Sequence, residues 1–394
     1  YSEILGLKPP WEIVDIKLDM KQERIDIYVE WPYVTEAPCP VCRESNQETY
    51  CKIHDRRRER VWRHLDTCQM KTYIHCHIPR ITCPCHGVKT IQIEWADEKV
   101  RFTYLFERLA IQMLQMSANR SQTAKILRIS WDEINRIMLR AVDRGLSRRQ
   151  DEVISSIGMD EKNFLAGHSY VTVMTDNQGK RVIDVAENRD ENAVETLWLG
   201  LSDKQRENVQ SVCMDFWKAY ISGARRHAPQ ADIVFDRFHV TKHLNEAVDK
   251  VRKKEHRELC RQKNTSLSNT KYLWLKNPNN WTEKDRDRYA VLAENQLAVG
   301  RAWNRKELFR EFWSLETINE AEVFFKHWYF SATHSRLKPV IEIAKMLNRH
   351  LEGLLAWIKH HVSNGLVEGF NSKIQQIKSI ARGFRDFKNY RIAI

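Results

Sequence analysis

The chain has 394 residues, of which 42% are hydrophobic and 29% are charged, and this composition excludes an intrinsically disordered protein. Its length predicts about two to four globular domains. No apolar run approaches the roughly 18 to 20 residues that cross a bilayer, and no signal-like start is evident, so we expect a cytoplasmic protein with no membrane partner. The net charge of +12 favours a polyanionic partner, nucleic acid first, with a generically basic surface as the alternative.

Cysteines are concentrated near the start of the chain, with seven of the nine in the first 85 residues. Cys39-Pro-Val-Cys42 and Cys83-Pro-Cys-His86 are short knuckles, and two such knuckles can complete the tetrahedral shell of a zinc ion. We therefore predict one structural Zn²⁺ held by Cys39, Cys42, Cys83 and His86. Cys85 is an alternative ligand, and a set of buried free thiols is the alternative to a metal site.

Residues 100 to 146 show the pattern of a helix-turn-helix. Apolar side chains recur at helical spacing from Phe102 to Met116, and a short helix is predicted over Ser121–Leu127. Ser130-Trp-Asp-Glu133 is a capping box that should open a third helix with an apolar face of Trp131, Ile134, Ile137 and Met138. The last helix of such a motif enters the major groove of DNA. An ordinary helical hairpin is the alternative.

The next segment alternates strands and helices and carries two aspartates at similar places. An apolar strand is predicted to end at Asp160, and a hairpin follows over 170–175 and 181–185. After a helix over 192–201, the strand 209–214 delivers Asp215, and the strand 232–235 precedes Asp236 and His239. This order is that of a ribonuclease-H-like sheet, in which the first and fourth strands are neighbours. Asp160 and Asp215 should therefore lie side by side.

Two adjacent carboxylates repel each other unless a cation joins them. Hard oxygen ligands suit Mg²⁺, and two ions could activate a nucleophile and stabilise a leaving 3′ oxygen. For a lone aspartate a helix cap or a loop position is the commoner explanation, but the repetition at two strand ends favours a metal site. A third carboxylate should come from a late helix. Helical spacing alone does not separate Glu368, which shares a polar face with Asn371 and Gln375, from Glu342 or Glu352.

Several stretches together resemble the ISL3 family of insertion-sequence transposases over nearly the whole chain. The matching stretches are Trp62–Cys68, Cys83–Gly87, Arg101–Glu107, Ile157–Glu161, Met214–Trp217, Asp236–His239 and Asn364–Ile374. The family's knuckle often lacks a cysteine at the middle position, so Cys85 is either a bystander or a substitute ligand.

The resemblance implies a multidomain α+β protein with a zinc ribbon, a helix-turn-helix and a ribonuclease-H-like core that an all-helical insertion interrupts. We expect the zinc-binding domain over 1–98, the helix-turn-helix over 99–150, the first part of the core over 151–244, the insertion over 245–350 and the last core helix over 351–394. The family's DDE triad falls on Asp160, Asp215 and Glu368. Asp236-x-x-His239 is similar to a motif of related transposases in which the histidine lies near the scissile DNA, and packing against the sheet is the alternative for His239.

The implied function is a DNA transposase that binds terminal inverted repeats and catalyses cleavage and strand transfer with two Mg²⁺ or Mn²⁺ ions. Its expected partners are transposon-end DNA and target DNA, with a homodimer on DNA and a nucleoid-associated location. The basic side chains expected to contact DNA are Arg56, Arg57, Arg58, Arg63, Arg128, Arg136, Lys373 and Lys378. The alternatives are a ribonuclease-H-like nuclease without strand transfer and a transposase-derived DNA-binding regulator.

Overall fold

The computed structural model describes residues 2–47, 49–97, 99–117, 119–149, 152–165, 169–361, 365–381, 383–384 and 386–394. The chain divides into two compact units, Tyr1–Arg144 and Gly145–Ile394. Among the described residues, no helix combines the length and the apolar character needed to cross a membrane.

The first unit begins with small β-sheets. A four-stranded sheet has the order β1-β2-β7-β6, a three-stranded sheet has the order β5-β8-β9, and β3 pairs with β4. Alternation along β2 buries Ile25, Ile27 and Val29 against a core that includes Trp62 and Ile74. The elements are α1 (Ser2–Leu5), β1 (Glu12–Asp19), β2 (Arg24–Glu30), β3 (Ala37–Pro38), α2 (Pro40–Glu44), β4 (Tyr50–Cys51), β5 (Ile53–Arg56), β6 (Arg60–Arg63), β7 (Lys71–Cys76), β8 (Pro79–Cys83) and β9 (Gly87–Thr90).

Three helices follow in the order that the sequence predicts: α3 (Tyr104–Ser117), α4 (Arg120–Leu127) and α5 (Trp131–Arg148). The capping box is confirmed, because the Ser130 amide donates to Glu133 Oε2 at 2.8 Å and the Glu133 amide donates to Ser130 Oγ at 3.2 Å. The predicted apolar faces are correct only in part. Ile134 and Ile137 are buried, but Trp131 is 42% exposed.

The apolar face expected for the first helix is likewise correct in part, because Phe102 and Phe106 are buried and Met113 packs against the same core. Its core contacts come from Phe106, Ala110 and Leu114 at a spacing of four residues. The apolar side chains of Leu105, Leu109 and Met116 are exposed, because they lie on the other side of the helix.

The second unit is built on a five-stranded sheet with the order β12-β11-β10-β13-β14. β10 to β12 are antiparallel neighbours, whereas β13 runs parallel to both β10 and β14. Its elements are β10 (Ser156–Leu165), β11 (Ser169–Asp176), β12 (Arg181–Glu187), α6 (Glu191–Leu199), α7 (Asp203–Asn208), β13 (Ser211–Met214), α8 (Lys218–His227) and β14 (Asp232–Phe235). The predicted end of the first strand at Asp160 is wrong, because pairing with β11 extends β10 to Leu165.

The remainder of the described chain is helical, as predicted. Sheet and helices share one core, to which the helices contribute Trp274, Phe309, Phe325 and Trp328. The helices are α9 (Arg237–Arg261), α10 (Lys271–Leu275), α11 (Glu283–Ala293), α12 (Ala298–Phe309), α13 (Ile318–Thr333), α14 (Lys338–Arg349), α15 (Leu351–His360), α16 (Gly365–Ile380) and α17 (Phe387–Ala393). Short 3-10 segments lie at Pro278–Asn280 and Arg310–Ser314.

α16 packs on the face of the sheet opposite that core. Ile374 of this helix joins Phe164, Val171 and Val173 in a separate hydrophobic cluster, together with Tyr390 of α17. α16 is thereby held against β10, the central strand of the sheet.

Candidate functional site

Asp160, Asp215 and Asp236 lie level with one another where the parallel pairing of β10, β13 and β14 ends. We call this place the carboxylate edge. Gly158 pairs with Cys213, so continuing this register by two residues brings Asp160 level with Asp215. Met214 pairs with Phe235, so the next residues, Asp215 and Asp236, are level as well. The predicted pairing of the first and fourth strands is therefore confirmed, and it brings Asp160 and Asp215 together.

Asp160 is a buried carboxylate with an oriented side chain, 8% exposed. Its Oδ1 accepts a hydrogen bond from the Glu161 amide at 2.8 Å, and its Oδ2 accepts one from Asn371 Nδ2 at 2.6 Å. Burial raises the pKa of Asp160 above its usual value, and the nearby charge of Asp215 acts in the same direction, while the two hydrogen bonds and His239 oppose the shift. A divalent cation would relieve this unfavourable arrangement of charge.

Asp215 follows β13 and is positioned by its own loop. Its Oδ1 accepts a hydrogen bond from the Trp217 amide at 2.9 Å. The ring of Phe216 stacks on Phe235 with 4.5 Å between centroids and lies 5.2 Å from the ring of His350. These contacts fix the ends of the two strands that precede Asp215 and Asp236.

Asp236 and His239 lie at the start of α9. Asp236 is 3% exposed and occupies the position before the first turn of the helix. His239 is one turn further on and is half-buried, close enough for its charge to lower the pKa values of Asp160 and Glu161. The structure therefore brings His239 to the carboxylate edge.

Glu161 is an acidic neighbour of Asp160 that no sequence motif distinguishes. Burial raises its pKa, as do the charges of Asp215 and Asp160. Its Oε1 lies 3.5 Å from a guanidinium nitrogen of Arg189. Alternation along a strand places Glu161 on the face opposite Asp160, so the sequence pattern gave no reason to group them.

Asn371 carries the contact between α16 and Asp160. It is 6% exposed, and among the described residues its Oδ1 has no hydrogen-bond partner. Glu368 lies in the same helix, but its side chain is outside the described residues. The two alternatives to Glu368, Glu342 in α14 and Glu352 in α15, are both exposed.

The two cysteine knuckles converge in the first unit. The ligand atoms of Cys39, Cys42, Cys83 and His86 all lie within 4.8 Å of one another. Cys42 Sγ is 3.7 Å from Cys83 Sγ, and His86 Nδ1 is 3.4 Å from Cys42 Sγ and 3.6 Å from Cys83 Sγ. A tetrahedral zinc site separates neighbouring ligand atoms by roughly 3.5 to 3.8 Å, so this cluster fits a structural zinc ion.

The cysteines of this region differ in their chemical state. Burial alone would raise the pKa of the Cys83 thiol, but hydrogen bonds from the backbone of Cys85 and from His86 lower it to about 6. Cys85 itself is exposed and lies outside the cluster. Burial raises the pKa of Cys76 to about 12, as expected for an unreactive thiol in a core.

Several of the arginines expected to contact DNA are engaged within the first unit. Arg56 donates to the Trp31 carbonyl at 2.6 Å and pairs with Glu30. Arg63 is 5% exposed and pairs with Asp66, and Arg128 reaches the same aspartate from the end of α4. Arg56, Arg63 and Arg128 therefore have partners within the first unit, and their contact with DNA stays a prediction.

The other predicted basic contacts lie at the surface. Arg57, Arg58, Arg136 of α5 and Lys373 of α16 are exposed. Lys378 is half-buried and donates to the Asn163 carbonyl at 3.4 Å. The exposed side chains of Arg58, Arg136 and Lys373 can be reached by a polyanion, whereas Lys378 ties α16 to β10.

A helix-turn-helix, a Cys3His cluster and a carboxylate-bearing sheet edge in one basic chain define a DNA-processing enzyme that depends on metal ions. Comparison with known protein families identifies the family within this class. The zinc-finger model of the transposases of IS204, IS1001, IS1096 and IS1165 matches residues 35–86, and the helix-turn-helix model of transposase family ISL3 matches residues 91–142. The ISL3 DDE transposase model matches residues 157–394, more than half of the chain. The chain therefore belongs to the ISL3 family of DDE transposases.

Curated relatives agree with this family. The transposase for insertion sequence element IS1001 of Bordetella parapertussis is 25% identical over 349 residues, which cover 88% of this chain and 84% of the relative. The transposase for insertion sequence element IS1557 of Mycobacterium tuberculosis (strain H37Rv) is 26% identical over 351 residues, covering 83% of this chain and 78% of the relative.

Proposed function

We propose that this chain cuts the ends of an insertion sequence and joins the freed 3′ ends to target DNA, using a ribonuclease-H-like core with Asp160, Asp215 and Glu368 as ligands for two Mg²⁺ or Mn²⁺ ions. The parallel register that brings Asp160 level with Asp215 is the main support. The sheet order, with the first strand central between the second and the fourth, supports the ribonuclease-H-like core.

The contact between Asn371 and Asp160 supports Glu368 as the third carboxylate. Asn371 ties α16 to the centre of the carboxylate edge, and Glu368 lies three residues earlier in this helix. Positions i and i+3 of a helix share one face. Glu342 and Glu352 lie on α14 and α15, and no described residue of either helix donates a hydrogen bond to Asp160.

In this proposal the chain orients its carboxylates before DNA arrives. The Glu161 amide and Asn371 fix Asp160, and the Trp217 amide fixes Asp215. His239 and Asp236 lie beside the same edge, where we assign them to positioning the scissile DNA. Bound divalent ions supply activation of water and stabilisation of the leaving 3′ oxygen.

We assign end recognition to the first unit. The zinc ion bound by Cys39, Cys42, Cys83 and His86 holds the ribbon, and α5 presents Arg136 to the major groove of the terminal inverted repeats. Because two ends must be brought together before joining, we propose a homodimer on DNA.

A strand-transfer assay tests the proposed function directly. Full-length protein is incubated with precut duplexes made from the DNA that flanks its own gene, a target plasmid and Mg²⁺. Joined products are expected, and Asp215→Ala should abolish them while leaving duplex binding intact. Hydrolysis without joining would identify a nuclease instead, and binding without any cleavage by the wild type would identify a regulator.

A further inference from the structure

Arg189 holds its guanidinium between two aromatic rings. It lies between β12 and α6, and its Cζ is 4.3 Å from the ring centroid of Tyr170 and 4.4 Å from that of Trp217. Aromatic faces attract cations, so the two rings hold the guanidinium in place. About a third of the side chain, 35%, is still exposed to solvent.

Trp217 connects this arginine to the carboxylate edge. Its backbone amide donates to Asp215 Oδ1 at 2.9 Å, and its indole N–H donates to the Arg189 carbonyl at 2.7 Å. The same indole ring covers the guanidinium. Arg189 is thus fixed to the residue that also orients Asp215.

The ion pair between Arg189 and Glu161 uses few of the N–H donors of the guanidinium. A single contact of 3.5 Å joins Arg189 Nη1 to Glu161 Oε1, and Glu161 Oε2 has no hydrogen-bond partner among the described residues. By contrast, Arg391 donates two hydrogen bonds, of 2.6 and 2.7 Å, to the carboxylate of Asp184. An arginine carries five N–H donors, and its planar fork matches the oxygens of a phosphate.

We propose that Arg189 binds a backbone phosphate of the DNA strand that enters the carboxylate edge, and that Glu161 is its partner in the absence of DNA. The inference rests on the proposed function. A phosphodiester approaching Asp160 and Asp215 meets like charge, and a guanidinium fixed beside Glu161 and the Asp215 loop offsets part of that repulsion. When DNA binds, the phosphate takes the donors that face Glu161.

The test is the salt dependence of DNA binding by the full-length, zinc-loaded protein. The probe is a labelled duplex from the DNA flanking the gene, with Ca²⁺ replacing Mg²⁺. Loss of one phosphate contact should reduce the slope of log Kobs against log salt by about 0.9 in Arg189→Gln, with binding roughly tenfold weaker. Arg189→Lys keeps the charge and should keep the slope.

Arg226→Gln is the matched control, because Arg226 pairs with one glutamate, Glu195, at 3.1 Å and has a side chain that is 57% exposed. Its slope should equal that of the wild type. Glu161→Gln should tighten binding because it releases Arg189, and this gain should vanish in the double variant with Arg189→Gln.

An unchanged slope in Arg189→Gln with wild-type cleavage would overturn the inference alone, as would an equal fall of the slope in Arg226→Gln. A gain from Glu161→Gln that persists without Arg189 would also contradict it. A wild-type protein that binds no DNA would instead overturn the proposed function on which the inference rests.

Discussion

Asp160 is oriented by two donors, the amide of the adjacent residue Glu161 and the side chain of Asn371, which lies 211 residues away in sequence. Each bond leaves lone pairs on the carboxylate for a metal ion, so the oxygen atoms are aimed before the ion binds. The second bond also makes the position of α16 part of the site. We therefore expect Asn371 to act as a positioning residue.

Asn371→Ala should weaken binding of Mn²⁺ by about 10- to 100-fold, the usual effect of removing a partner of a metal ligand. The pKa of Asp160, already raised by burial, should rise further without this donor. Because the metal needs the ionised carboxylate, the pH dependence of binding should move to higher pH. Calorimetric titration with Mn²⁺ at several pH values measures both effects.

Gln375→Ala provides the control for Asn371, since Gln375 is exposed one turn further along α16. It should bind Mn²⁺ as the wild type does. Unchanged affinity and an unchanged pH profile in Asn371→Ala would show that this amide only packs the helix.

At the level of elements, the close approach of α15 to β14 depends on Gly353. A Cβ at this position would lie 2.3 Å from Phe235 Cδ2 and 3.0 Å from the Ile233 carbonyl oxygen. Since Asp236 follows Phe235, this contact fixes the strand end that leads to the candidate site. A larger side chain has to displace the ring or the helix.

Gly353→Ala should therefore lower the free energy of unfolding by about 1–3 kcal/mol, the typical cost of overpacking. Among the described residues, an added Cβ at Gly300 in α12 meets no atom within 4 Å beyond its chain neighbours and its own helix backbone, so Gly300→Ala should leave stability unchanged or raise it by about 0.5–1 kcal/mol. Urea unfolding of the two variants compares them. An equal free energy of unfolding for the two variants would show that the packing of α15 against β14 does not require glycine at position 353.

A second prediction at the level of elements concerns which cysteines of the two knuckles bind zinc. Cys39→Ser should lose about one zinc equivalent per chain, because a structural site needs its four protein ligands. Cys85→Ser should retain zinc, since Cys85 is exposed and outside the cluster. Metal analysis of the purified variants decides between them, and zinc loss in Cys85→Ser alone would reverse the assignment.

For the molecule as a whole, local sequence patterns predict the helices and strands better than they predict which side chains contact one another. The Ser130–Glu133 capping box and the pairing of the first and fourth strands are confirmed, because both follow from short-range pattern and strand order. The helices α7 and α8 were not predicted, because each is short and mostly polar in sequence. Domain boundaries inside the two units stay predictions.

Side-chain partners could not be predicted in the same way. The ion pairs of Arg63 and Arg128 with Asp66 do not follow from the sequence, because no spacing rule relates these three residues, and the expected DNA contacts of both arginines stay predictions. Glu161 and Arg189 were missed for the same reason, since the fold brings them together across 28 residues. The role of Glu368 depended on family resemblance, because helical periodicity does not distinguish it from other glutamates.

The most direct test of the three-carboxylate assignment measures cleavage of the flanking-DNA duplex in Mg²⁺ and in Mn²⁺. Asp160→Asn, Asp215→Asn and Glu368→Gln should each lose cleavage while still binding the duplex, because each removes a charged ligand of the same metal centre. Glu352→Gln, which changes an exposed glutamate of α15, should cleave as the wild type does. Cleavage that survives any of the first three substitutions, or that is lost in Glu352→Gln, would contradict the assignment of the three carboxylates.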